Sequence, residues 1–304
     1  MTAPVPESIH RLVYLGTPTA AVSPLEALLD ADFDVALVVS RADAKRGRGG
    51  QLQPSPVKLA AVARGVPVTD QIDDVAGVHA DLAVVVAYGR IIRAPVLEVV
   101  PMVNLHFSLL PRWRGAAPVE RAILAGDERT GVCLMAVDEG LDTGAVYRRV
   151  ELDIGPDETA EALRARLVEA GAALLVSSLR SGLGRPEPQV GEPTYADKIQ
   201  PSELEVDWSQ PAMLVHRRVR VGGAWTTFRG KRLKIWQTQM GGGEGDDGTV
   251  RGGVLAPGQI DGIRVGTGDG IIELLEVQPE GKARQRTTAW RNGAQPGPTD
   301  RLGS

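Results

Sequence analysis

Apolar residues recur along this chain in two rhythms. Short β-branched runs at 9–15, 35–39, 66–68 and 80–87 read as strands. Between them, 24–29 begins a helix and 56–64 reads as another, with Pro56 at its start. The run 80–87 is almost continuously apolar, as a central parallel strand buried on both faces should be. Further on, 116–124 reads as a helix with Gly126 past its end, and 130–137 as a strand. The segment 156–183 reads as one long helix opened by acidic residues, with Leu163, Leu167, Leu174, Leu175 and Leu179 on its packing face. Strands alternating with helices predict an α/β, doubly wound and mostly parallel sheet.

Beyond this region the rhythm changes. Residues 182–192 are rich in proline, glycine and polar side chains, a linker by composition. Strand-like runs at 225–229, 232–238, 249–255, 262–267 and 271–278 are separated by glycine turns, which predicts a small antiparallel barrel. The expected domains are therefore 1–184, a linker over 185–207, and 208–304.

The most informative stretch is 104–144, NLHFSLLPRWRGAAPVERAILAGDERTGVCLMAVDEGLDTG. The apolar run before it ends in Asn104 and His106, which lie two apart and so face one side of a strand. Pro111 cannot continue a ladder, and 112–115 form a charged turn. The loop 138–144 is acidic and kept tight by glycine. An amide donor, a histidine and a carboxylate suit acyl transfer without a covalent enzyme intermediate. The amide holds a carbonyl, the imidazole donates to the oxyanion, and a carboxylate orients the imidazole. Asp142 follows His106 by 36 positions, so only the fold can join them. Taken alone, Asn-x-His is a weak signal, and Asp142 reads equally as a turn residue.

The stretch as a whole resembles one family, the methionyl-tRNA formyltransferases, with polar positions in register at Asn104, His106, Ser108, Pro111, Arg114, Pro118 and across 138–144. The likeness extends to LVYLGTP near the start, GRG-x-x-L-x-PSPVK at 47–58, ADLAVVVAYGRI at 80–91, TYA-x-KI at 194–199 and GKRLKIW at 230–236. It implies a formyltransferase-type catalytic domain followed by an OB-like domain that cradles tRNA. It also implies Asn104, His106 and Asp142 as catalytic residues. Ser108, Leu109, Leu110 and Pro111, with Tyr88 and Gly89, are implied as contacts for the co-substrate 10-formyltetrahydrofolate. Tyr88 reads otherwise as a rim aromatic with no ligand.

Composition narrows the partners. The chain has 304 residues, a net charge of −4 and one cysteine. Global charge gives no drive toward nucleic acid, so RNA contact must come from local patches. Cys133 sits in an apolar strand as a buried thiol, with no intrachain disulfide possible. The expected compartment is the cytoplasm, since no signal-like leader and no apolar run of membrane-spanning length is present. No His/Cys cluster suggests a metal, and His10, His79 and His216 are scattered packing or surface residues. The absence of an evident helix-pairing face favours a monomer.

Two basic stretches stand out. Residues 41–50 hold four Arg or Lys and three glycines, which suits either a solvated loop or an arm that neutralises phosphates. Residues 208–238 hold seven Arg or Lys and no acidic residue. By the resemblance, Lys45, Arg46 and Arg48 enter the acceptor end of initiator tRNA, although the family usually has arginine where Ala44 stands. Arg217, Arg220, Lys231 and Arg232 are expected to contact tRNA from the second domain. Trp225 and Trp236 suit stacking, and core filling is the preferred reading of Trp236. The loop before Trp225 is shorter than is usual in the family.

The expected reaction is transfer of a formyl group from 10-formyltetrahydrofolate to the α-amine of methionyl-initiator-tRNA, for translation initiation. One alternative is a folate-dependent formyltransferase acting on a small amine, which has no use for the basic stretches. Another is a catalytically idle RNA-binding protein on the same scaffold.

Overall fold

The computed structural model describes residues 3–46, 50–241 and 255–304, with Arg46 described by its backbone alone. It resolves into two compact units. One comprises residues 1–119, 129–153 and 163–197; the other comprises 120–128, 154–162 and 198–304.

The first unit is built on a seven-stranded sheet. Its spatial order is Val146–Asp153, Arg129–Ala136, Met102–His106, Leu82–Val86, Arg11–Gly16, Asp34–Val39, Val68–Thr69. All five residues of Leu82–Val86 are buried, as its unbroken apolar run requires. Val13, Leu15, Ala83, Val85 and Met102 share one core face with Val96, Leu97 and Val100. The strands from Val68–Thr69 to Met102–His106 are parallel. Met102–His106 then pairs antiparallel with Arg129–Ala136, setting Asn104 beside Met135 and His106 beside Cys133. Asn104 also lies beside Val85 on the parallel side. Both polar residues therefore stand at the carboxyl ends of the parallel strands, where ligands gather in such sheets.

Among the departures from the sequence reading, three bear on the site or its surroundings. The long helix runs Ala160–Ser181 and does not begin at Pro156. Thr159 is the residue that starts it: its Oγ1 accepts the Ala162 amide at 3.2 Å. Leu163, Leu167, Leu175 and Leu179 are buried along one stripe, whereas Leu174 lies beside the stripe and is half-buried. The glycine-rich 41–50 region contains a short ladder, Ala44–Arg46 against Gln51–Gln53. A third departure is the helix Ala212–Val221, which the charge of that region obscured. Its buried positions Ala212, Val215 and Val219 carry the helical spacing.

The second unit is an antiparallel sheet ordered Trp225–Phe228, Lys231–Met240, Ile271–Pro279, Arg264–Gly266, Ile260–Asp261, with Gln285–Arg286 also on Ile271–Pro279. Its core holds Trp208, Phe228, Leu233, Ile235, Val265, Ile272, Leu274, Val277 and Trp290. Phe228 and Trp290 meet edge to face at 5.1 Å. Trp236 is not in this core. Leu233 and Ile235 point inward, so period-two alternation turns Lys234 and Trp236 to the other face, where Trp236 is half-buried beneath Arg284 and Lys234. Most of the strand expected at 249–255 lies outside the described residues.

Asp81 anchors the first strand. Its Oδ2 accepts both the His10 and Arg11 amides at 2.8 Å, and these bonds hold its carboxyl below the ordinary carboxylate range. A depressed folded value stabilises the fold above the unfolded value of about 3.9 and loses that contribution as pH falls through the folded one. Thermal unfolding of the wild type and Asp81→Asn should therefore differ at neutral pH and converge on acidification. Parallel curves across the whole pH range would remove this anchoring role.

Candidate active site

The strand Met102–His106 delivers two polar side chains to one edge. Asn104 is half-buried, and its amide makes no hydrogen bond to another described residue. His106 is 4% exposed. Its Nε2 lies 2.8 Å from the Trp113 carbonyl oxygen, and its Nδ1 lies 3.5 Å from Asp142 Oδ2. A carbonyl only accepts, so Nε2 carries a proton in this arrangement. The 3.5 Å separation brings the carboxylate to the imidazole but is long for a hydrogen bond.

Asp142 reaches His106 because its loop is folded on itself. Asp138 Oδ1 accepts from the Gly140 amide at 3.1 Å and from Thr143 Oγ1 at 2.5 Å. At Gly144, a Cβ would lie 1.9 Å from the Ala136 carbonyl oxygen, so only glycine lets the loop return this close to the strand. Asp142 itself sits at φ +52, a region in which Asp is enriched. Its Oδ2 accepts the Gly115 amide at 2.8 Å.

The turn after the strand supplies the other walls. Ser108 is fully buried, and its hydroxyl donates to the Arg112 carbonyl at 2.5 Å. That bond shapes the turn and spends the hydroxyl there. Leu110 is buried with Cys133, Met135 and Val146, while Leu109 and Pro111 are half-buried. Trp113 stands at φ +64, a strained conformation for a bulky residue. It is held there by Thr194, whose Oγ1 accepts the Trp113 amide and whose carbonyl accepts the Arg114 amide, each at 2.9 Å. Gly115, at φ +122, approaches Ala196 so closely that a Cβ would lie 2.9 Å from its carbonyl oxygen.

These contacts revise the reading of 185–207 as a plain linker, because its first half is bound to the site. Tyr195–Ala196 pairs with Arg114–Gly115. Gln189 donates from Nε2 to the carbonyls of Asp142 and Gly144, both at 2.8 Å, and accepts from Arg114 Nε and Nη2 at 3.1 and 2.7 Å. Proline and glycine describe extended chain as well as they describe a tether, so composition concealed this segment. The one sequence signal was a polar Gln189 just ahead of the TYA-x-KI run.

The remaining positions expected to contact the co-substrate lie at the end of Leu82–Val86. Ala87 and Gly89 have φ of +46 and +77 and are exposed. Tyr88 is 6% exposed and packs into the core rather than onto a rim, and burial pushes its phenol above the ordinary value. Cys133 is fully buried, and burial raises its thiol in the same way.

The basic residues separate by environment. Lys45 is exposed; Arg48 and the Arg46 side chain lie outside the described residues. Lys231 and Arg232 are exposed, with Arg232 over the Trp225 ring at 4.1 Å. Arg217 packs across Gly126, its Nη1 3.5 Å from the Ala125 carbonyl oxygen. Arg220 corrects the expectation that it contacts RNA. It is 7% exposed and donates to the Glu158 and Gly155 carbonyls at 2.8 Å each, a structural tie. His216 beside it is buried between Thr238 and Asp157.

Comparison with known proteins identifies the family. Residues 10–179 match the formyl transferase family and residues 198–295 match the formyl transferase C-terminal domain. A methionyl-tRNA formyltransferase of Symbiobacterium thermophilum is 40% identical, over 93% of this chain and 92% of the relative. One from Roseobacter denitrificans is 43% identical, over 93% and 96%. Among solved structures, the N-formyltransferase from Helicobacter canadensis in complex with folinic acid and dTDP-3-aminofucose superposes with a TM-score of 0.66. It is 18% identical and covers 89% of this chain and 100% of that one, a likeness of fold. A formyl transferase domain followed by that family's C-terminal domain, with identity of this extent along nearly the whole length, establishes that the chain belongs to the methionyl-tRNA formyltransferase family.

Proposed function

We propose that this protein transfers the formyl group of 10-formyltetrahydrofolate to the α-amine of methionine esterified to initiator tRNA. The observation that carries the reading is the convergence of Asn104, His106 and Asp142 at the carboxyl end of the parallel strands, in a chain about two-fifths identical to methionyl-tRNA formyltransferases. The neutral amine attacks the formyl carbon, and the carbonyl electrons move onto oxygen. The Asn104 amide, with no other described partner, is placed to donate to that oxygen. His106 provides a second donor, and Asp142, 3.5 Å from Nδ1, orients the imidazole. Collapse breaks the bond to the folate nitrogen. The proton lost by the amine ends on that nitrogen, by way of the His106–Asp142 pair or water.

His106 Nε2 is held by the Trp113 carbonyl, so donation to an oxyanion from that atom requires this bond to be exchanged. Trp113 is the strained residue of the turn, which lowers the cost of moving its carbonyl. The exposed main chain at Ala87 and Gly89, with the 108–111 turn, is assigned to the folate. Ser108 acts in that assignment by shaping the turn. Lys45, Arg46, Arg48, Lys231 and Arg232 are assigned to tRNA phosphates, and Arg217 to their edge. Catalysis is assigned to the first unit, which includes the 189–196 segment, and RNA cradling to 208–304. The enzyme is taken to act as a monomer in the cytoplasm.

Replacing His106 by alanine is expected to lower kcat by ~10²–10³-fold, the size typical for loss of one oxyanion donor, while folate affinity stays within a few-fold. Single-turnover formylation of charged initiator tRNA, beside elongator methionyl-tRNA and small amines, measures this; near-normal turnover would defeat the role. Arg232→Ala should weaken tRNA binding and reduce the slope of log affinity against log salt by about one, with unfolding temperature unchanged. Arg220→Ala should instead lower the unfolding temperature, since it removes a buried guanidinium that donates to two carbonyls. An unchanged salt slope for the first variant would remove Arg232 from the RNA surface.

A further inference from the structure

We propose that Gln189 is a positioning residue for Asp142, and through it for His106. The proposal rests on the functional reading above and assigns a role to a segment that composition marks as linker. Gln189 is the hub of four hydrogen bonds. Its Oε1 accepts Nε and Nη2 of Arg114, and its Nε2 donates to the carbonyls of Asp142 and Gly144.

The chemistry of the hub is specific to an amide. A guanidinium only donates and a carbonyl only accepts, so the central group must accept on one side and donate twice on the other. Arg114 fixes which end of the amide is oxygen. The Nε2 hydrogens are then directed at the two carbonyls that bracket Thr143. This closes a ring of contacts: Arg114 precedes Gly115, the Gly115 amide holds Asp142 Oδ2, and Asp142 Oδ2 faces His106 Nδ1. Gln189 thus holds Asp142 by its backbone while Gly115 holds it by its carboxylate. Asp142 sits at positive φ, and Gln189 fixes the backbone on both sides of Thr143 through its bonds to the Asp142 and Gly144 carbonyls. The segment bearing Gln189 is itself pinned by the pairing of Val146 with Glu187, through amide–carbonyl bonds of 2.8 and 2.9 Å.

Two substitutions separate the parts of this argument. Gln189→Leu keeps the bulk and removes every bond. Gln189→Glu keeps the acceptor for Arg114 and turns an acceptor oxygen against two carbonyls. Each is expected to lower kcat by ~10–100-fold, the cost of small misplacement of a catalytic group, with KM for folate and tRNA within ~3-fold. Because the effect passes through Asp142, the double variant Asp142→Asn/Gln189→Leu should be no slower than Asp142→Asn alone, within ~2-fold. Turnover of either single variant within ~2-fold of wild type, or losses that multiply in the double variant, would overturn the proposal. Where Gln189→Leu does not fold, Gln189→Glu is read against the same limits. Amide hydrogen exchange gives a readout independent of activity: residues 138–144 and Gly115 should exchange faster in the variants. Unchanged protection there overturns the clamp whatever the turnover. Wild-type enzyme assayed alongside keeps the two questions apart. An inactive wild type refutes the functional reading, and an active wild type with indifferent variants refutes the clamp.

Discussion

The site depends on one constraint: the turn that follows Met102–His106 must leave the sheet without leaving its backbone donors unpaired. Residues 111–117 belong to no long ladder, and several are half-buried or buried, where unpaired amides are costly. The chain meets the demand from far along its length. Thr194 takes the amides of Trp113 and Arg114, and the Ala196 carbonyl takes those of Ala116 and Ala117 at 2.8 and 3.0 Å. Asp142 takes the amide of Gly115. With these in place, the Trp113 carbonyl is turned toward His106 Nε2. The geometry of the candidate site and backbone satisfaction are thus two readings of the same hydrogen bonds.

The same economy governs charge. Arginines close together in sequence take opposite fates. Arg220 is buried against two carbonyls, and Arg232 lies open on an aromatic ring. An arginine can cap main-chain oxygens inside a fold or meet phosphates outside it, and both uses suit its planar fork of donors. Residue type and local density do not separate them. The helical spacing that turns Ala212, Val215, Val219 and Arg220 inward does.

Much of the architecture was legible in the chain because it rests on local pattern. The all-apolar run around Leu82–Val86 could only be a central strand, and glycines around 140–144 could only mark a tight loop. Asn104 and His106 were placed on one face by strand alternation alone. Departures came where a local rule had two solutions. Pro156 can open a helix or precede one, and the Thr159 hydroxyl decided for Ala160. Trp236 is large and apolar, but the alternation that buries Ile235 turned it outward. Tyr88, at the mouth of a strand, turned into the core.

By itself the sequence determined the class of fold, the order of its parts and the polar residues available for acyl transfer, since hydrophobic period and side-chain chemistry are properties of neighbouring residues. Only the tertiary structure decided that Asp142 meets His106, that Ser108 spends its hydroxyl within its own turn, and that Gln189 belongs to the site. Those facts join residues tens of positions apart, or choose between partners of equal chemistry. Such choices are made by the packing of whole elements against each other and by the requirement that each buried polar group find a partner.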